Sequence, residues 1–552
     1  MLIAPGSTFP AELYDVCVIG SGPAGLAIAF ECERRGLDVA VLEAGTNKPS
    51  TDGDSFAATI LNEAWHVPLP IGARQSFGGT SVSWGGLCVA MDSLDLARRA
   101  HVADSGWPID FQELLDWEEP AATFLGCGEP RFRHDEPSWQ PPVRINSSSV
   151  GRLARHWNLV GTYRKQLERS RRIHVRLGAR VIALTPDAEG QRIVGVKIAR
   201  RAGETLDGPR ARMYVIAGGG LQSTALLLEL QRQHPRALDG ENGPLGRFYM
   251  GHVTGEIATI VFNNPADAAD LLYQFDKDGI PKQRRLQFSD ELQRAERLLN
   301  TAFTLRSPPL ADSAHGSGAL SLAYMASQIP KVTGFVKSRR FLNTASHARR
   351  SVISAHFANV LKRPHTTLVD ACRLLLRTRI EKLPLVLLNR SGRYGLRYHA
   401  EQAPNPNSRV WLNQAAIANG GPELAIDFRY QDEDAQSVLR AHATLDRLLR
   451  ASGRGYIEYW HPPEERLAAV FDEASDGYHQ IGTTRMGADP RSSVVDPDCR
   501  VHGLSNLFVS SSSVFPTSAA ANPTFTIVCL AQRLAFHLSQ ALAARAKAAC
   551  VS

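Results

Sequence analysis

The sequence predicts an α/β chain of two interleaved domains, and three observations lead to this prediction. Near the N-terminus a glycine-rich turn separates an apolar run from a helical segment. Beyond about residue 255 the pattern changes to longer polar segments with occasional strands, and after Asp476 glycine, serine and apolar runs return. At 552 residues the chain is also too long for one ordinary core.

The N-terminal segment has the order strand, turn, helix, strand. Residues 14–20 (YDVCVIG) form a β-branched apolar run that is typical of a buried parallel strand. The helix predicted over 23–35 has proline in its first turn and stops at Gly36. A second strand is predicted over 38–42. This is a βαβ unit of the Rossmann type, whose connection should be right-handed.

The turn of this unit carries the spacing of a dinucleotide site. Gly20 permits the tight turn, Gly22 lets the backbone approach a pyrophosphate, and Gly25 allows the helix to pack closely on the strand. The phosphate would face the positive end of the helix dipole. Glu43, 23 positions after Gly20 (43 − 20), is placed to accept hydrogen bonds from ribose hydroxyls. These features together predict that the chain binds a dinucleotide.

The remaining elements follow from periodicity and from turn residues. The loop 78–86 holds four glycines and three hydroxyls, which suits a backbone pressed against a ligand. The predicted strands are 173–184 as a hairpin-like pair, 193–200, 212–217, 407–412, 424–430 and 506–509. The predicted helices are 111–125, 221–230 and 432–452.

Composition excludes several classes of protein. We find no run of about 18 apolar residues that would span a membrane, and the first residues lack the basic start of a secretory signal. The eight cysteines are scattered without CxxC spacing, so neither a disulfide framework nor a metal site is expected. These features predict a reduced, cytoplasmic enzyme.

The formal net charge of +7 is unevenly distributed. Residues 331–397 contain fifteen Lys and Arg against two acidic residues, a local balance of +13, so the rest of the chain is net acidic. That pattern does not describe a nucleic-acid-binding protein. The simpler interpretation of the segment is a solvated helical insertion or a subunit contact. The alternative is contact with an anionic membrane or an acidic electron carrier, through apolar-rich stretches such as 369–380.

An ordered set of motifs resembles the glucose–methanol–choline oxidoreductase family over essentially the whole chain. The motifs are VIGSGPAGLA with Glu43, GGTSVSWGG, SGWPI, GPLGRFYMGH, EQAPNPNSRV, YHQIGTTRMG and VFPTSAAANPTFTI. With an asparagine rather than a second histidine, the last motif resembles that of the branch that holds pyranose and related sugar oxidoreductases.

The resemblance implies an FAD-binding domain over 1–255 and 470–552, with an excursion near 90–150, and a substrate domain over 256–469 on a mostly antiparallel sheet. Ser83 stands where some relatives carry a histidine linked to FAD, so non-covalent FAD is expected. The resemblance assigns FAD contacts to Gly20, Gly22, Gly25, Glu43, Gly79, Ser81, Val181, Ser512 and Thr524.

The chemistry of alcohol oxidation suggests roles for two residues near the C-terminus. Removing a hydride from carbon requires that a proton also leave the hydroxyl oxygen, and a neutral histidine can accept it. We assign His479 as the general base and Asn522 as the hydrogen-bond partner of the substrate oxygen. The predicted substrate is a sugar, glycoside or natural-product alcohol, and the electron acceptor is left open.

Two alternatives remain at this point. The same fold could host a flavin-containing lyase, and the protein could also bind flavin without catalysis. Retention of the His479 and Asn522 pair favours alcohol oxidation over both.

Overall fold

The computed structural model of the chain describes residues 1–3, 9–47, 58–133, 142, 144–199, 204–235, 237–330, 343, 351–380, 386–418 and 421–551. Much of the basic segment, at 331–342, 344–350 and 381–385, therefore lies outside the described residues.

The strands are numbered in chain order. They are β1 Leu2–Ile3, β2 Leu13–Ile19, β3 Val39–Glu43, β4 Ala58–Ile60, β5 Leu87–Cys88, β6 Ile145–Asn146, β7 Val150–Leu153, β8 Ile173–Leu177, β9 Val181–Pro186, β10 Ile193–Ala199, β11 Thr205–Asp207, β12 Arg210–Ile216, β13 His252–Phe262, β14 Gln274–Phe275, β15 Pro281–Arg284, β16 Gln287–Phe288, β17 Thr301–Arg306, β18 Arg393–Glu401, β19 Arg409–Ala418, β20 Gly421–Asp427, β21 Gly455–Tyr459 and β22 Leu507–Val509.

The α-helices are numbered in the same way. They are α1 Pro23–Arg34, α2 Leu69–Gly72, α3 Ser93–Leu96, α4 Phe111–Leu115, α5 Glu118–Leu125, α6 Leu159–Arg169, α7 Gly220–Gln233, α8 Asp290–Ala295, α9 Gly318–Ser327, α10 Ile353–Lys362, α11 Pro364–Ile380, α12 Asp432–Ala451, α13 Arg466–Glu473 and α14 Pro523–Val551.

A six-stranded parallel sheet organises the nucleotide-binding part. Its order is β1-β8-β3-β2-β12-β22, and every neighbouring pair is parallel. Residues 16–19 of β2, residues 39–42 of β3 and the inner part of β12 are apolar and almost fully buried, as strands covered on both faces must be. The C-terminal strand β22 pairs with β12, which returns the end of the chain to the N-terminal domain. The predicted α/β class with a Rossmann-like core is confirmed.

Two glycines allow α1 to start directly on this sheet. Gly20 has φ +110°, and a Cβ there would lie 2.4 Å from the carbonyl oxygen of Ala217. A Cβ on Gly25 would lie 2.0 Å from the carbonyl oxygen of Gly20. A side chain at Gly20 would therefore push the turn away from the end of β12, and one at Gly25 would separate α1 from the turn.

A second layer is antiparallel. Its four-stranded sheet has the order β17-β18-β13-β21, with strands drawn from residues 252 to 459. β19 and β20 form a further antiparallel pair, to which β4 adds in parallel. This agrees with the mostly antiparallel sheet expected for the substrate domain. The division of the chain at residues 255 and 470 stays a prediction.

Two local predictions were wrong. Residues 173–184 do not pair with each other, because β8 joins the parallel sheet while β9 pairs with β10 in a separate sheet. Gly178, with φ +66°, turns the chain between them. The helix expected over 111–125 is broken into α4 and α5, since Pro120 in the first turn of α5 has no N–H with which to continue α4.

A buried ion pair ties the excursion to the substrate sheet. Arg99 donates from Nη1 and Nη2 to the two carboxylate oxygens of Glu401, at 2.6 and 2.5 Å, and neither side chain is exposed. Glu401 ends β18 and also accepts from the backbone N–H of Asn300. The pair therefore holds the end of β18 in position.

The C-terminal helix α14 is long and apolar enough to cross a membrane by length and composition alone, although Gln532, Arg533 and His537 interrupt its apolar residues. Half of its most apolar window is buried, and the helix packs against α1 and α5. Val528, Ala531, Leu534 and Leu538 on its inner face belong to the main hydrophobic core. We therefore describe α14 as a core helix.

Candidate active site

One cavity of about 1610 Å³ brings both ends of the chain together. Ten of the eleven residues predicted for the site line it: Gly20, Gly22, Glu43, Gly79, Ser81, Val181, His479, Ser512, Asn522 and Thr524. Gly25 lies behind the turn instead, where it allows the close packing of α1. Residues separated by some 500 positions thus share one chamber.

The nucleotide end of the cavity is organised by Glu43. Its Oε2 accepts hydrogen bonds from the backbone N–H and the hydroxyl of Ser21, at 2.9 and 2.6 Å, and its Oε1 accepts from the N–H of Gly45 at 2.7 Å. Burial raises the pKa of Glu43, and these hydrogen bonds only partly offset the rise. The carboxyl is thereby fixed beside the turn, where a ribose could reach it.

The glycine loop lies against this turn. The N–H of Gly78 donates to the Ser21 hydroxyl at 2.9 Å, and a Cβ on Gly79 would lie 3.1 Å from the Cα of Gly22. Ser81 donates from Oγ to the carbonyl of Gly78 at 2.6 Å. Two glycine-rich segments therefore meet with only the small Ser21 side chain bridging them, and this cradle fits the diphosphate of FAD.

His479 is carried by a turn that Asp476 holds together. Oδ1 of Asp476 accepts from the backbone N–H groups of Gly477, Tyr478 and His479 at 2.8, 2.9 and 3.0 Å. Ser512 connects this turn to the nucleotide side, donating from Oγ to the carbonyl of Gln480 at 2.7 Å. These contacts therefore fix the backbone that carries the imidazole.

A chain of hydrogen bonds determines which nitrogen of His479 carries the proton. Nε2 of His252 lies 3.1 Å from the carbonyl oxygen of Ser518, so Nε2 must be the protonated, donating nitrogen. Nδ1 of the neutral His252 is then an acceptor, and Nδ1 of His479 lies 2.8 Å away. His479 consequently carries its proton on Nδ1 and has a lone pair on Nε2.

The lone pair of His479 points toward Asn522. The distance between Nε2 of His479 and Nδ2 of Asn522 is 3.4 Å, and the His479 side chain is 21% exposed. A hydroxyl oxygen placed beside both groups could accept a hydrogen bond from the amide and donate one to the imidazole. The structure thus places the two predicted side chains together, and their roles stay a prediction.

Charges around the imidazole favour this arrangement. Burial alone would raise the pKa of Asp476, but His479 and His252 hold it well below its usual range, so Asp476 is an anion. Burial lowers the pKa of His252, which keeps that ring neutral. Oδ2 of Asp476 lies 3.5 Å from Nδ1 of each histidine. The carboxylate would therefore stabilise His479 after it takes up a proton.

A third histidine, His399, completes a cluster with His252 and His479. One nitrogen from each of the three rings lies within 4.8 Å of the other two, and burial lowers the pKa of His399 well below its usual range. Ligands of a tetrahedral zinc ion would stand roughly 3.3 Å apart, given Zn–N bonds of about 2.0 Å. The 2.8 Å contact between His252 and His479 is shorter and has the length of a hydrogen bond.

Sequence reasoning missed His252, His399 and Asp476. The histidines are 147 and 80 positions apart along the chain (399 − 252 and 479 − 399), so no local spacing indicates the cluster. A signal existed nevertheless: His252 ends the motif GPLGRFYMGH, and Asp476 stands three residues before His479. Only the folded sheet shows that these residues meet.

Comparison with known proteins agrees with this geometry. Residues 404–531 match the family model described as GMC oxidoreductase, and residues 15–243 match that of FAD dependent oxidoreductase. The chain is 24% identical over 591 aligned residues to 6'''-hydroxyparomomycin C oxidase of Streptomyces lividus, covering 97% of this chain and 92% of the relative.

Two further similarities are shorter or more distant. C-glycoside 3-oxidase of Microbacterium trichothecenolyticum is 37% identical over 126 residues, 23% of each chain. The crystal structure of pyridoxine 4-oxidase from Mesorbium loti superimposes with a TM-score of 0.51 at 15% identity, over 95% of this chain and 99% of the other. The latter comparison shows a shared fold.

Proposed function

Because the chain is a member of the glucose–methanol–choline oxidoreductases and oxidises alcohol or sugar hydroxyls with FAD, we propose that His479 is its general base and Asn522 its substrate-orienting residue. The observation that carries this proposal is the 3.4 Å distance between Nε2 of His479, the nitrogen left unprotonated by the hydrogen bonds of His252, and the Asn522 amide in the FAD cavity.

The residues of the chain supply positioning and proton transfer. The glycine turn and Glu43 would hold FAD, which would supply the acceptor for the hydride that leaves the alcohol carbon. Asn522 donates a hydrogen bond to the substrate oxygen and so directs its O–H toward Nε2 of His479. His479 takes this proton, and the anionic Asp476 beside Nδ1 stabilises the resulting positive charge. His252 keeps the other nitrogen of His479 protonated throughout.

The proposed substrate is a sugar or a glycoside. Two of the relatives are named for hydroxyparomomycin and for a C-glycoside. In this chain Thr254 and Arg397, from the neighbouring strands β13 and β18, line the same cavity as His479. Hydroxyl and guanidinium groups can hydrogen-bond the further hydroxyls of a sugar ring, which a simple aliphatic alcohol does not have.

We propose that FAD is bound without a covalent link. No cysteine is found among the described residues that line the cavity, and the two histidines that do, His399 and His479, belong to the cluster. Ser83 lines the cavity where the covalent histidine of some relatives would stand. Acid precipitation should leave the yellow colour in the supernatant, whereas a yellow pellet would contradict the proposal.

A cytoplasmic location is part of the proposal. Six of the described cysteines are buried as free thiols, namely Cys17, Cys32, Cys88, Cys127, Cys499 and Cys529, and Cys372 is an exposed free thiol. Such thiols suit a reducing compartment. Activity retained inside the cell after the periplasm is released, and no activity in the periplasmic fraction or the medium, is the expected outcome.

The substrate class is tested by anaerobic mixing of the FAD-loaded enzyme with candidate donors. Pyranoses and glycosides should bleach the flavin, and simple aliphatic alcohols should do so far more slowly. Bleaching by aliphatic alcohols alone would refute the sugar proposal while leaving alcohol oxidation intact. Turnover without bleaching would contradict the roles of His479 and Asn522 in alcohol oxidation.

A further inference from the structure

Two successive helices carry apolar stripes on their solvent side. In α10, Ile353, Phe357 and Leu361 recur at every fourth position, and in α11 Leu368 and Leu376 stand eight positions apart on one face. These five side chains, here called the apolar face, are between 50% and 74% exposed. Single exposed apolar residues are common, but a repeated stripe of large side chains on two helices marks a contact surface.

The opposite sides of both helices are anchored to the protein. In α10, Nδ1 of His356 lies 3.1 Å from the Ser321 hydroxyl, and Asn359 donates to the carbonyl of Ser313 at 2.8 Å. In α11, Leu374 belongs to a small core with residues of α9. Each helix therefore buries one side against the protein, and the apolar face lies on the other side.

The charge of this region indicates what covers the apolar face. Lys362 and Arg363, at the junction of the two helices, are exposed, and residues 331–397 carry fifteen basic against two acidic residues. A second copy of the chain would bring the same positive charge to the contact and would be repelled. Apolar side chains flanked by Lys and Arg are instead typical of helices that lie at the surface of an anionic bilayer.

We propose that α10 and α11 dock on a membrane surface containing anionic phospholipid, with the apolar face inserted at the headgroup level. The exposure of the stripe favours this over the solvated insertion expected from the sequence alone. Docking would also bring the segment that follows α11 toward the bilayer. β18 begins at Arg393, shortly after α11, and its residues Arg397 and His399 line the FAD cavity.

The test uses the full-length FAD-loaded enzyme and sedimentation with vesicles of phosphatidylcholine, with or without phosphatidylglycerol. The wild type should sediment with the phosphatidylglycerol vesicles and not with pure phosphatidylcholine. A Phe357→Ser, Leu361→Ser variant should bind at least about tenfold more weakly. A matched control, Leu61→Ser with Phe275→Ser, changes two comparably exposed apolar residues elsewhere (53% and 45%) and should bind like wild type.

Both variants should retain FAD and oxidise soluble substrate at the wild-type rate, which confirms that they fold. Replacing Lys362 and Arg363 with glutamine should weaken vesicle binding at low salt and leave the apolar contribution at high salt. The proposal is overturned if the wild type does not sediment, or if the apolar-face variant binds as well as its control. It is equally overturned if light scattering shows a dimer that only the apolar-face variant loses, since a second copy would then cover the face.

Discussion

Replacing His252 with phenylalanine tests whether this residue sets the protonation of the general base. The substitution keeps an aromatic ring but removes both the donor to Ser518 and the acceptor for Nδ1 of His479. His479 could then carry its proton on either nitrogen. In the tautomer protonated on Nε2, the imidazole presents a hydrogen to the substrate hydroxyl and cannot accept its proton.

The size of the effect follows from the contacts that remain. Leaving a buried donor unpaired costs about 1–3 kcal/mol, which corresponds to roughly 5- to 150-fold in rate. Asp476 Oδ2 lies 3.5 Å from Nδ1 of His479 and can replace part of the lost hydrogen bond. The lower part of the range is therefore expected, a loss of about 5- to 30-fold in the rate of flavin reduction.

Anaerobic stopped-flow reduction by a saturating substrate measures this step directly. A His252→Gln variant is the matched control, since its amide can donate to the Ser518 carbonyl and accept from Nδ1 of His479, and it should recover most of the rate. FAD content should be unchanged in both variants. Reduction at the wild-type rate in His252→Phe would refute the reasoning. Equal losses in both variants would assign the effect to packing of the ring.

Three further predictions concern the base, the buried ion pair and acid stability. His479→Ala should retain FAD and slow flavin reduction by about 10²- to 10⁴-fold. Asn522→Ala should slow it less, because the proton acceptor remains. Stopped-flow reduction ranks the two variants, and the reverse order would contradict the assigned roles. Arg99→Met leaves the Glu401 carboxylate buried without its partner. It should lower the free energy of unfolding, measured in urea, by about 3–5 kcal/mol. An unchanged unfolding midpoint would contradict this prediction. Burial lowers the pKa of His442 to about 4, below its ordinary value of about 6.5. Between these two pH values the histidine is protonated in the unfolded chain but not in the folded protein. Stability should drop over that window by roughly 3 kcal/mol, and His442→Phe should flatten the drop in melting curves taken from pH 7 to pH 4.

Local sequence was sufficient to predict a feature wherever the residues that produce it are neighbours in the chain. The turn at Gly20, the helix that follows it and the acid at Glu43 form one continuous segment, so their spacing already contains the nucleotide site. The same holds for α12, whose periodicity and terminal turn predicted 432–452 against an observed Asp432–Ala451. His479 and Asn522 could be chosen because each lies in a recognisable motif, and both line the cavity.

Tertiary contacts decided the rest. The alternation in 173–184 indicates strands but cannot tell which partner each strand finds, since hydrogen bonds between strands are not local in the chain. Likewise the sequence analysis predicted no helix over 353–362, and only the packing of α9 shows which face of α10 is buried.

The sequence by itself was enough to predict the nucleotide-binding unit and to propose His479 and Asn522 as the base and its amide partner. It could not determine the state in which the base works. That state depends on His252, 227 positions away, whose Nε2 is committed to a backbone carbonyl and whose Nδ1 therefore accepts from His479. A tautomer is set by the hydrogen-bond partners of both nitrogens, and those partners come together only when β13 and the turn after Asp476 pack side by side.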